Sequence, residues 1–327
     1  MDSADERRPL RWGIAGTGAV SKQIAHDLHL VESASLVAVA SRSIERSTRF
    51  AVDFDIPNPF DDYTAMLESD IDIVYLCTPH VTHFELARRA LLHGKHVLCE
   101  KPLGLDAREV RELAELARDE GLFLMEAMWM KFNPLMALVG DIVRSGEIGQ
   151  VRAVQASFGA PFPQDGSSRW QPGGSALLDQ GIYPVTLSHM MLGAPERVHA
   201  NGTVRADGND LSEHFTLEYD GGRFAHGASS MVEFLSSSAA ISGDQGWIDI
   251  DPGFWFSSSL TVHSYGPEGP RARHCTVDRE GHGYTPMLRA ANDAAMSGLL
   301  EHPTHTLEDT VSVFETLDAI RRDAFES

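Results

Sequence analysis

Hydrophobic positions in the first 130 residues form short runs that alternate with segments of helical periodicity. Ile71–Cys77 is apolar almost throughout, which is typical of a strand buried on both faces. Strands that alternate with amphipathic helices predict a doubly wound parallel sheet, and so an α/β fold. The predicted strands are Arg11–Ala15, Leu36–Ala40, Ile71–Cys77, His96–Cys99 and Leu122–Ala127, and the predicted helices are Val20–Leu30, Ile44–Asp53, His83–His93 and Asp106–Glu120.

After about residue 150 the pattern changes to strands in succession, several of them separated by Gly with Asp or Asn. Such turns are typical of hairpins, so this part is predicted to be an α+β domain with a mainly antiparallel sheet. One helix is predicted over Ala176–Leu192, and two close the chain at Pro286–Leu299 and Leu307–Phe325. We therefore predict a dinucleotide-binding domain over residues 1–128 and a substrate-binding domain over residues 129–327. The predicted strands are Val151–Phe158, Val198–Val204, Glu213–Tyr219, Phe224–Glu233, Ala239–Ser242, Trp247–Ile250 and Leu260–Ser264.

Charge and composition restrict the partners of this chain. Its 327 residues carry 27 Lys and Arg against 47 Asp and Glu, a formal net charge of −20, and only four of the basic residues are Lys. An acidic chain is a poor ligand for nucleic acid or anionic lipid, so neither is predicted as a partner. No apolar run reaches the ~18 residues of a membrane span. Three scattered cysteines favour neither a disulfide framework nor a zinc site, which favours a cytoplasmic location.

The first predicted strand ends in a glycine-rich turn, Gly16-Thr17-Gly18-Ala19, and Ser21 follows at the position where a dinucleotide fingerprint has a small residue. Gly16 permits a tight turn and Gly18 lets the backbone approach a pyrophosphate, which gains from free N–H groups at a helix N-terminus. Because the turn follows a strand and opens a helix, we predict a dinucleotide site rather than a plain tight turn.

Cofactor choice is predicted from the end of the second strand, about 20 residues further on. The chain there has Ser41 and Arg42 and no carboxylate to hold a ribose hydroxyl. A guanidinium pairs well with a 2′-phosphate, so NADP is the predicted cofactor and NAD the alternative. The competing interpretation is that Arg42 is a solvated surface residue.

Two further segments carry residues suited to hydride transfer. Glu100 and Lys101 stand at the carboxyl end of a buried strand, where ligands of open α/β sheets bind. Asp179 and Tyr183 are four residues apart, so on a helix they share one face. Oxidation of an alcohol needs a base, and a nearby ammonium such as Lys101 lowers a tyrosine pKa from its ordinary value near ~10. The alternatives are a lysine that faces solvent and a half-buried aromatic residue.

In that order, Gly16-x-Gly18-x-x-Ser21, Glu100-Lys101-Pro102 and Asp179-x-Gly181-x-Tyr183 resemble the Gfo/Idh/MocA oxidoreductase family over nearly the whole chain. The segments 121–134 and 178–184 are similar to the branch with dihydrodiol dehydrogenases and NADP-dependent D-xylose dehydrogenases. The resemblance implies a Rossmann domain and a second domain with a large open sheet, which packs on a partner's sheet in homodimers or homotetramers.

The resemblance also implies roles for individual residues. Lys101 matches the active-site lysine that contacts cofactor and substrate, Tyr183 the acid/base position, and Asp179 the carboxylate that orients the substrate. Thr78, Pro79, His80 and His83 match the loop over the nicotinamide ribose, and Glu100 joins the predicted cofactor contacts. His80 stands where the family usually has Asn, and Lys131 where the branch typically has Arg.

We thus predict an NADP(H)-dependent oxidoreductase that transfers a hydride to or from a sugar, polyol or dihydrodiol. Two alternatives remain. An NAD-dependent glycoside hydrolase of the same fold would release sugar without net NADPH turnover, and a ligand-sensing NADP-binding protein would have no need of Lys101, Asp179 and Tyr183. Trp129 and Trp170 are candidates for a sugar-stacking surface, with core packing as the alternative for Trp129. His80-x-x-His83 and His93-x-x-His96 have ligand spacing, but no carboxylate or Cys is patterned around them, so no metal is predicted.

Overall fold

The first sheet has six parallel strands in the order β3-β2-β1-β4-β5-β6 in a computed structural model that describes residues 8–266 and 269–325. β4 is fully buried, as its unbroken apolar sequence predicts, and the order reverses between β1 and β4, where dinucleotides bind in such folds. The strands are β1 (Leu10–Ala15), β2 (Ala34–Ala40), β3 (Asn58–Phe60), β4 (Ile73–Leu76), β5 (His96–Glu100) and β6 (Leu124–Ala127). The helices up to residue 145 are α1 (Ala19–Leu28), α2 (Ile44–Asp53), α3 (Tyr63–Leu67), α4 (His83–Leu92), α5 (Ala107–Glu120) and α6 (Pro134–Ser145).

The second sheet has eight strands in the order β14-β13-β12-β11-β7-β10-β9-β8. Its neighbours pair antiparallel except for β7 and β10, which are parallel. The strands are β7 (Val151–Gly159), β8 (Arg197–Val204), β9 (Asp210–Tyr219), β10 (Arg223–Ser230), β11 (Ala239–Gly243), β12 (Gly246–Ile250), β13 (Ser259–Gly266) and β14 (Gly269–Thr276). The remaining helices are α7 (Ile182–Leu192), α8 (Thr285–Met296) and α9 (Leu307–Phe325). The predicted fold class, a parallel α/β sheet with a second, mainly antiparallel sheet, is confirmed.

The chain divides into two compact units whose segments interleave along the sequence. The first unit contains the residues up to Leu103, Arg111–Trp129 and Glu280–Leu307, and the second contains Gly104–Val110, Met130–Arg279 and the residues from Glu308 onward. The six-stranded sheet lies in the first unit and the eight-stranded sheet in the second. The division into domains at residue 128 stays a prediction.

Several elements differ from the predicted ones. The short strand β3 contains a proline at the sheet edge, and apolar patterning does not distinguish three such residues from a loop. The predicted strand Phe224–Glu233 ends at Ser230, and the predicted helix Ala176–Leu192 begins with a π-helical turn over Leu177–Gly181. Among the described residues, no helix is long and apolar enough to cross a bilayer. All three cysteines are free thiols.

Candidate active site

The glycine-rich turn has the backbone geometry that an approaching phosphate requires. Gly16 has φ of +112°, and a Cβ there would lie 2.0 Å from the carbonyl oxygen of Cys77, so no other residue fits. Gly18 caps α1 without a side-chain hydrogen bond, and a Cβ at Gly18 would meet no atom within 4 Å. The space beside Gly18, at the start of α1, is therefore open, and a helix N-terminus with no side-chain cap fits the pyrophosphate of a dinucleotide.

The other residues of this turn differ in their exposure to solvent. Thr17 is half-buried and Ala19 is exposed at the start of α1. Ser21 is fully buried, and its Oγ would lie 3.6 Å from a Cβ at Gly16. A small side chain at Ser21 thus lets α1 pack closely against the turn.

The end of β2 presents a guanidinium and hydroxyl groups. Ser41 Oγ donates to the carbonyl oxygen of Ser43 at 2.7 Å, and Ser43 caps α2 by accepting the backbone N–H of Arg46. The Ser43 hydroxyl also donates to Glu45 at 2.6 Å and lowers the pKa of that carboxyl group. Arg42 is exposed, and its guanidinium forms no ion pair with any residue that the structure describes. It is therefore available to an anionic ligand.

His83 is buried in the first unit, where its ring lies between two backbone carbonyl groups. Its Nδ1 lies 2.7 Å from the carbonyl oxygen of Pro102, and its Nε2 lies 2.8 Å from that of Thr78. The ring is fully buried, and this burial lowers the pKa of His83 while the two carbonyl oxygens oppose the shift. Because both ring nitrogens are occupied inside the protein, His83 holds the Thr78 loop against the segment that follows Lys101.

The Thr78 loop is closed by local hydrogen bonds. Thr82 Oγ1 donates to Pro79 O at 2.7 Å, and the hydroxyl groups of Thr82 and Thr78 lie 2.8 Å apart. His80 is half-buried, with its ring centroid 5.8 Å from that of His83. The loop residues Thr78, Pro79 and His80 thus keep part of their surface accessible.

Glu100 and Lys101 end β5 in different environments. The Glu100 side chain lies inside, where it accepts a hydrogen bond from the hydroxyl group of Tyr75. Burial raises the pKa of Glu100 to about 7, although Tyr75 and Lys101 oppose the shift. Lys101 is half-buried and its peptide bond to Pro102 is cis. Glu100 therefore supports the strand end from within, and Lys101 is the residue of the pair with accessible surface.

The raised pKa of Glu100 predicts a pH-dependent stability. Between pH 4.5 and about 7 the folded chain keeps a proton that the unfolded chain has released. The free energy of unfolding therefore falls as pH rises, by on the order of 3 kcal/mol. We expect Glu100→Gln to remove this decline in urea unfolding measured from pH 5 to pH 8, whereas the exposed Glu115→Gln should keep it. An unchanged pH dependence in Glu100→Gln would contradict the assignment.

A second buried carboxylate was not anticipated from the sequence. Glu126 Oε1 accepts the backbone N–H of Leu103 at 3.0 Å, and its Oε2 lies 3.1 Å from His305 Nε2. Both side chains are about 1% exposed. A glutamate inside the apolar strand β6 is the one sequence signal for a buried polar contact here. Its partner His305 is 179 residues away, so no local pattern identifies that partner.

In the second unit, Asp179 and Tyr183 lie on two different helical turns. Asp179 belongs to the π-helical turn Leu177–Gly181, and Tyr183 to the first turn of α7. Single π-helical turns of this kind are frequent at functional sites. The two residues are therefore on one continuous helical segment, as predicted, but with a wider first turn.

Asp179 is oriented by Arg169, which no motif in the sequence indicates. Arg169 Nε donates to Asp179 Oδ2 at 2.8 Å, and Asp179 is 15% exposed. The Arg169 guanidinium lies 3.8 Å from the ring centroid of Phe162, a cation–π contact that fixes it further. The carboxylate thus has a fixed direction and a counter-charge, but keeps some accessible surface.

Tyr183 lies among aromatic rings. It is 4% exposed, and its ring centroid is 6.0 Å from that of Phe158 and 5.7 Å from that of Trp255. Phe158 and Trp255 stack on each other at 3.7 Å with 14° between their planes. Both are half-buried and form a flat apolar surface beside the tyrosine. Trp255 comes from the loop between β12 and β13, which no motif identifies.

Two buried acids hold the π-helical turn from the side of the sheet. Asp210 Oδ2 accepts the backbone N–H of Leu177 at 2.8 Å, and Glu213 accepts a hydrogen bond from the hydroxyl group of Ser229. A Cβ at Gly181 would lie 2.6 Å from Ser229 Oγ. Burial, with the nearby charge of Asp210, raises the pKa of Glu213 well above its ordinary value. The turn that carries Asp179 is thus fixed by β9 and β10.

The other residues that the sequence analysis considered are engaged elsewhere. Trp129 stacks on Tyr284 at 4.5 Å, and the buried Trp170 donates its Nε1–H to Pro163 O at 2.8 Å. Lys131 forms an ion pair with Asp309 at 3.0 Å. His96 accepts the backbone N–H of Phe123 at its Nδ1. His96, like His83, therefore uses a ring nitrogen in a polar contact inside the protein.

Comparison with known proteins gives matches over both parts of the chain. A model of an oxidoreductase family with an NAD-binding Rossmann fold matches residues 10–128, and a model of the GFO/IDH/MocA C-terminal domain matches residues 136–249. The trans-1,2-dihydrobenzene-1,2-diol dehydrogenase of Mus musculus is 33% identical over 96% of each chain. The Homo sapiens protein of that name is 32% identical, again over 96% of each.

Solved structures agree with these matches. A 3-ketoreductase from Actinomadura kijaniata, crystallised with NADP and TDP-benzene, superposes with a TM-score of 0.86 at 30% identity, covering 97% of this chain and 98% of that one. An aldose-aldose oxidoreductase from Caulobacter crescentus has a TM-score of 0.87 at 24% identity over 98% of each chain, which shows a common fold.

Proposed function

On the premise that this chain belongs to the GFO/IDH/MocA oxidoreductase family, we propose that it transfers a hydride between NADP(H) and a hydroxyl or carbonyl group of a sugar, polyol or dihydrodiol. It is an enzyme of the dehydrogenase and reductase class. This choice of reaction and substrate class rests mainly on the position of Tyr183. It packs among aromatic rings, on the helical segment that also carries the oriented carboxylate of Asp179.

We propose a separate chemical role for the nicotinamide and for each of the residues Tyr183, Lys101 and Asp179. The nicotinamide, when bound, supplies the hydride acceptor or donor. Tyr183 exchanges the proton of the substrate hydroxyl group through its phenolic oxygen. Lys101, which is half-buried at the end of β5, orients the substrate oxygen by donating a hydrogen bond to it. Asp179 accepts a hydrogen bond from a second substrate hydroxyl group, a role that its fixed direction beside Arg169 supports.

The surroundings of Tyr183 support a cyclic substrate with neighbouring hydroxyl groups. The stacked rings of Phe158 and Trp255 offer an apolar face to a sugar ring or a dihydrodiol ring, and Asp179 offers an acceptor to a hydroxyl group. Relatives named for a dihydrodiol substrate, and a 3-ketoreductase crystallised with NADP, support the same class.

The proposed function is tested by a screen of aldoses, polyols and trans-dihydrodiols for reduction of NADP, followed at the NADPH absorbance band. We expect turnover with at least one member of this class. Failure of all three groups in both reaction directions would contradict the substrate class. Release of sugar without any NADPH turnover would favour a glycoside hydrolase instead.

NADP is the proposed cofactor because Arg42 is exposed at the end of β2 and forms no ion pair with the residues that the structure describes. A charge-assisted hydrogen bond contributes about 1.5–3 kcal/mol, so Arg42→Ala should raise KM for NADPH roughly 10- to 100-fold. KM for NADH should stay within about twofold, since NADH lacks the 2′-phosphate. Arg49→Ala removes an exposed arginine of the same charge on α2 and serves as the control. A marked preference of the unmodified enzyme for NAD would contradict the assignment.

We also propose that the eight-stranded sheet mediates a homodimer or homotetramer. Its solvent face carries exposed His214 on β9, exposed His226 on β10, and a stacked pair, Trp247 and His263, at 4.3 Å. Aromatic rings on an open sheet face are typical of surfaces that other protein chains cover. The mass of the protein in solution tests this proposal, and a monomer at micromolar concentration would contradict it.

A further inference from the structure

Two histidines and an aspartate meet in the first unit, away from the glycine turn and from β5. His26 lies in the last turn of α1, Asp27 is the next residue, and His282 lies in the turn before α8. One possible ligand atom from each of the three lies within 4.8 Å of the other two. No spacing in the sequence indicates the cluster, since His282 is 255 residues from Asp27.

The backbone around Asp27 fixes this geometry. Asp27 is fully buried, and its carboxylate accepts the backbone N–H groups of His282, Tyr284 and Thr285 at 2.8 to 3.2 Å. The turn before α8 is therefore tied to the end of α1, and the His282 ring is held near the His26 ring. Their centroids lie 4.8 Å apart with 73° between the planes.

Both imidazoles are accessible to a metal ion. His26 is 55% exposed, and His282 is exposed as well. Among the described residues, the His282 ring contacts His26 but forms no hydrogen bond. His26 Nδ1 lies 3.1 Å from Asp27 Oδ1. Neutral imidazole nitrogen is the donor that zinc and its neighbours in the transition series prefer.

The distances match the edges of a tetrahedral site. Bonds of about 2.0–2.2 Å from zinc to nitrogen and oxygen place neighbouring ligand atoms about 3.3 Å apart. The pair His26 Nδ1 and Asp27 Oδ1 already has nearly this separation. The ligand atom of the exposed His282 side chain lies within 4.8 Å of the other two. The C-terminal end of α1 adds a favourable dipole for a cation.

We propose that His26, Asp27 and His282 bind a divalent transition metal ion of the zinc type, with water at the remaining position. The ion links the end of α1 to the turn before α8. This is a surface site that stabilises the first unit, and it does not depend on the proposed function. The bound water gives it one exchangeable position, and the buried carboxylate supplies the only anionic ligand.

Titration of the full-length protein, purified without a histidine tag and freed of metal with EDTA, tests the proposal. We expect calorimetry with ZnCl₂ to show one ion per chain. His26→Ala and His282→Ala should each weaken binding at least about tenfold, because loss of even an outer-shell partner of a ligand costs about 10- to 100-fold. His29→Ala removes a neighbouring exposed histidine and should leave the affinity unchanged.

Melting temperatures give a second test of the site. Zn²⁺ should raise the melting temperature of the unmodified protein, whereas the melting temperature of the His26→Ala/His282→Ala double variant should be the same with and without Zn²⁺. Because Asp27 also accepts backbone N–H groups, it is not a test position. Equal Zn²⁺ affinity in the double variant, or no binding by the unmodified protein at millimolar Zn²⁺, would overturn the proposal.

Discussion

Tyr183→Phe is expected to lower kcat by about 10²- to 10⁴-fold, the usual contribution of a proton-transfer group. Phe keeps the ring that packs beside Phe158 and Trp255 and removes only the phenolic oxygen, so the fold should be unaffected. KM for the substrate should change much less than kcat, because Asp179 is retained. The measurement is steady-state NADPH turnover with a substrate found in the screen.

Tyr219→Phe is the matched control for this variant. Tyr219 is also a buried tyrosine of the second unit, and its hydroxyl group has no hydrogen-bond partner among the described residues. Removing that oxygen should leave both kcat and stability unchanged. If Tyr183→Phe and Tyr219→Phe both turn over at nearly the normal rate, Tyr183 is not the acid/base group.

Gly16→Ala should abolish measurable cofactor binding and destabilise the first unit. A Cβ at Gly16 would lie 2.0 Å from the carbonyl oxygen of Cys77, whose own N–H donates to Ala15 O at 2.9 Å, so the neighbouring strand has little freedom to move. The φ of +112° adds backbone strain of about 1–3 kcal/mol in any residue with a side chain. Fluorescence titration with NADPH and urea unfolding measure the two effects.

Gly18→Ala separates binding from folding at the same turn. Gly18 has φ of −79°, which alanine adopts freely, and a Cβ there would meet no atom of residues 8–266 or 269–325 within 4 Å. We expect normal stability but at least tenfold weaker NADPH binding, since the added methyl group would occupy the space proposed for the pyrophosphate. NADPH binding by Gly18→Ala at the unmodified level would place the dinucleotide elsewhere.

Local sequence patterns predict the elements whose residues are neighbours along the chain. β1 with its glycine turn, β4 and α5 follow directly from apolar periodicity and turn chemistry. The π-helical turn at Leu177–Gly181 does not, because over five residues its periodicity hardly differs from that of an α-helix. Edge strands such as β3 and β14 are missed for another reason, since they bury too few apolar side chains to leave a pattern.

In the candidate site too, the sequence predicts residues that stand in local motifs and not residues that distant parts of the chain contribute. The glycines, Arg42, Lys101, Asp179 and Tyr183 stand in short motifs with definite spacing. Trp255 is 72 residues from the tyrosine that it contacts, and Asp210 is 33 residues from the turn that it caps. Such residues are chosen by tertiary packing, which a single sequence does not encode at any fixed interval.

The interleaving of the first unit determines when it can be completed during synthesis. Its sheet ends with β6, yet Trp12 donates to Asn292 and Asp27 accepts the N–H groups of His282, Tyr284 and Thr285. A ribosome that has released only β1–β6 has therefore made a sheet with a buried indole N–H and a buried carboxylate still without partners. Many chains fold their N-terminal domain first. Here we expect the first unit to reach its final stability only after α8 has emerged from the ribosome. By then all strands of the second sheet have been synthesised.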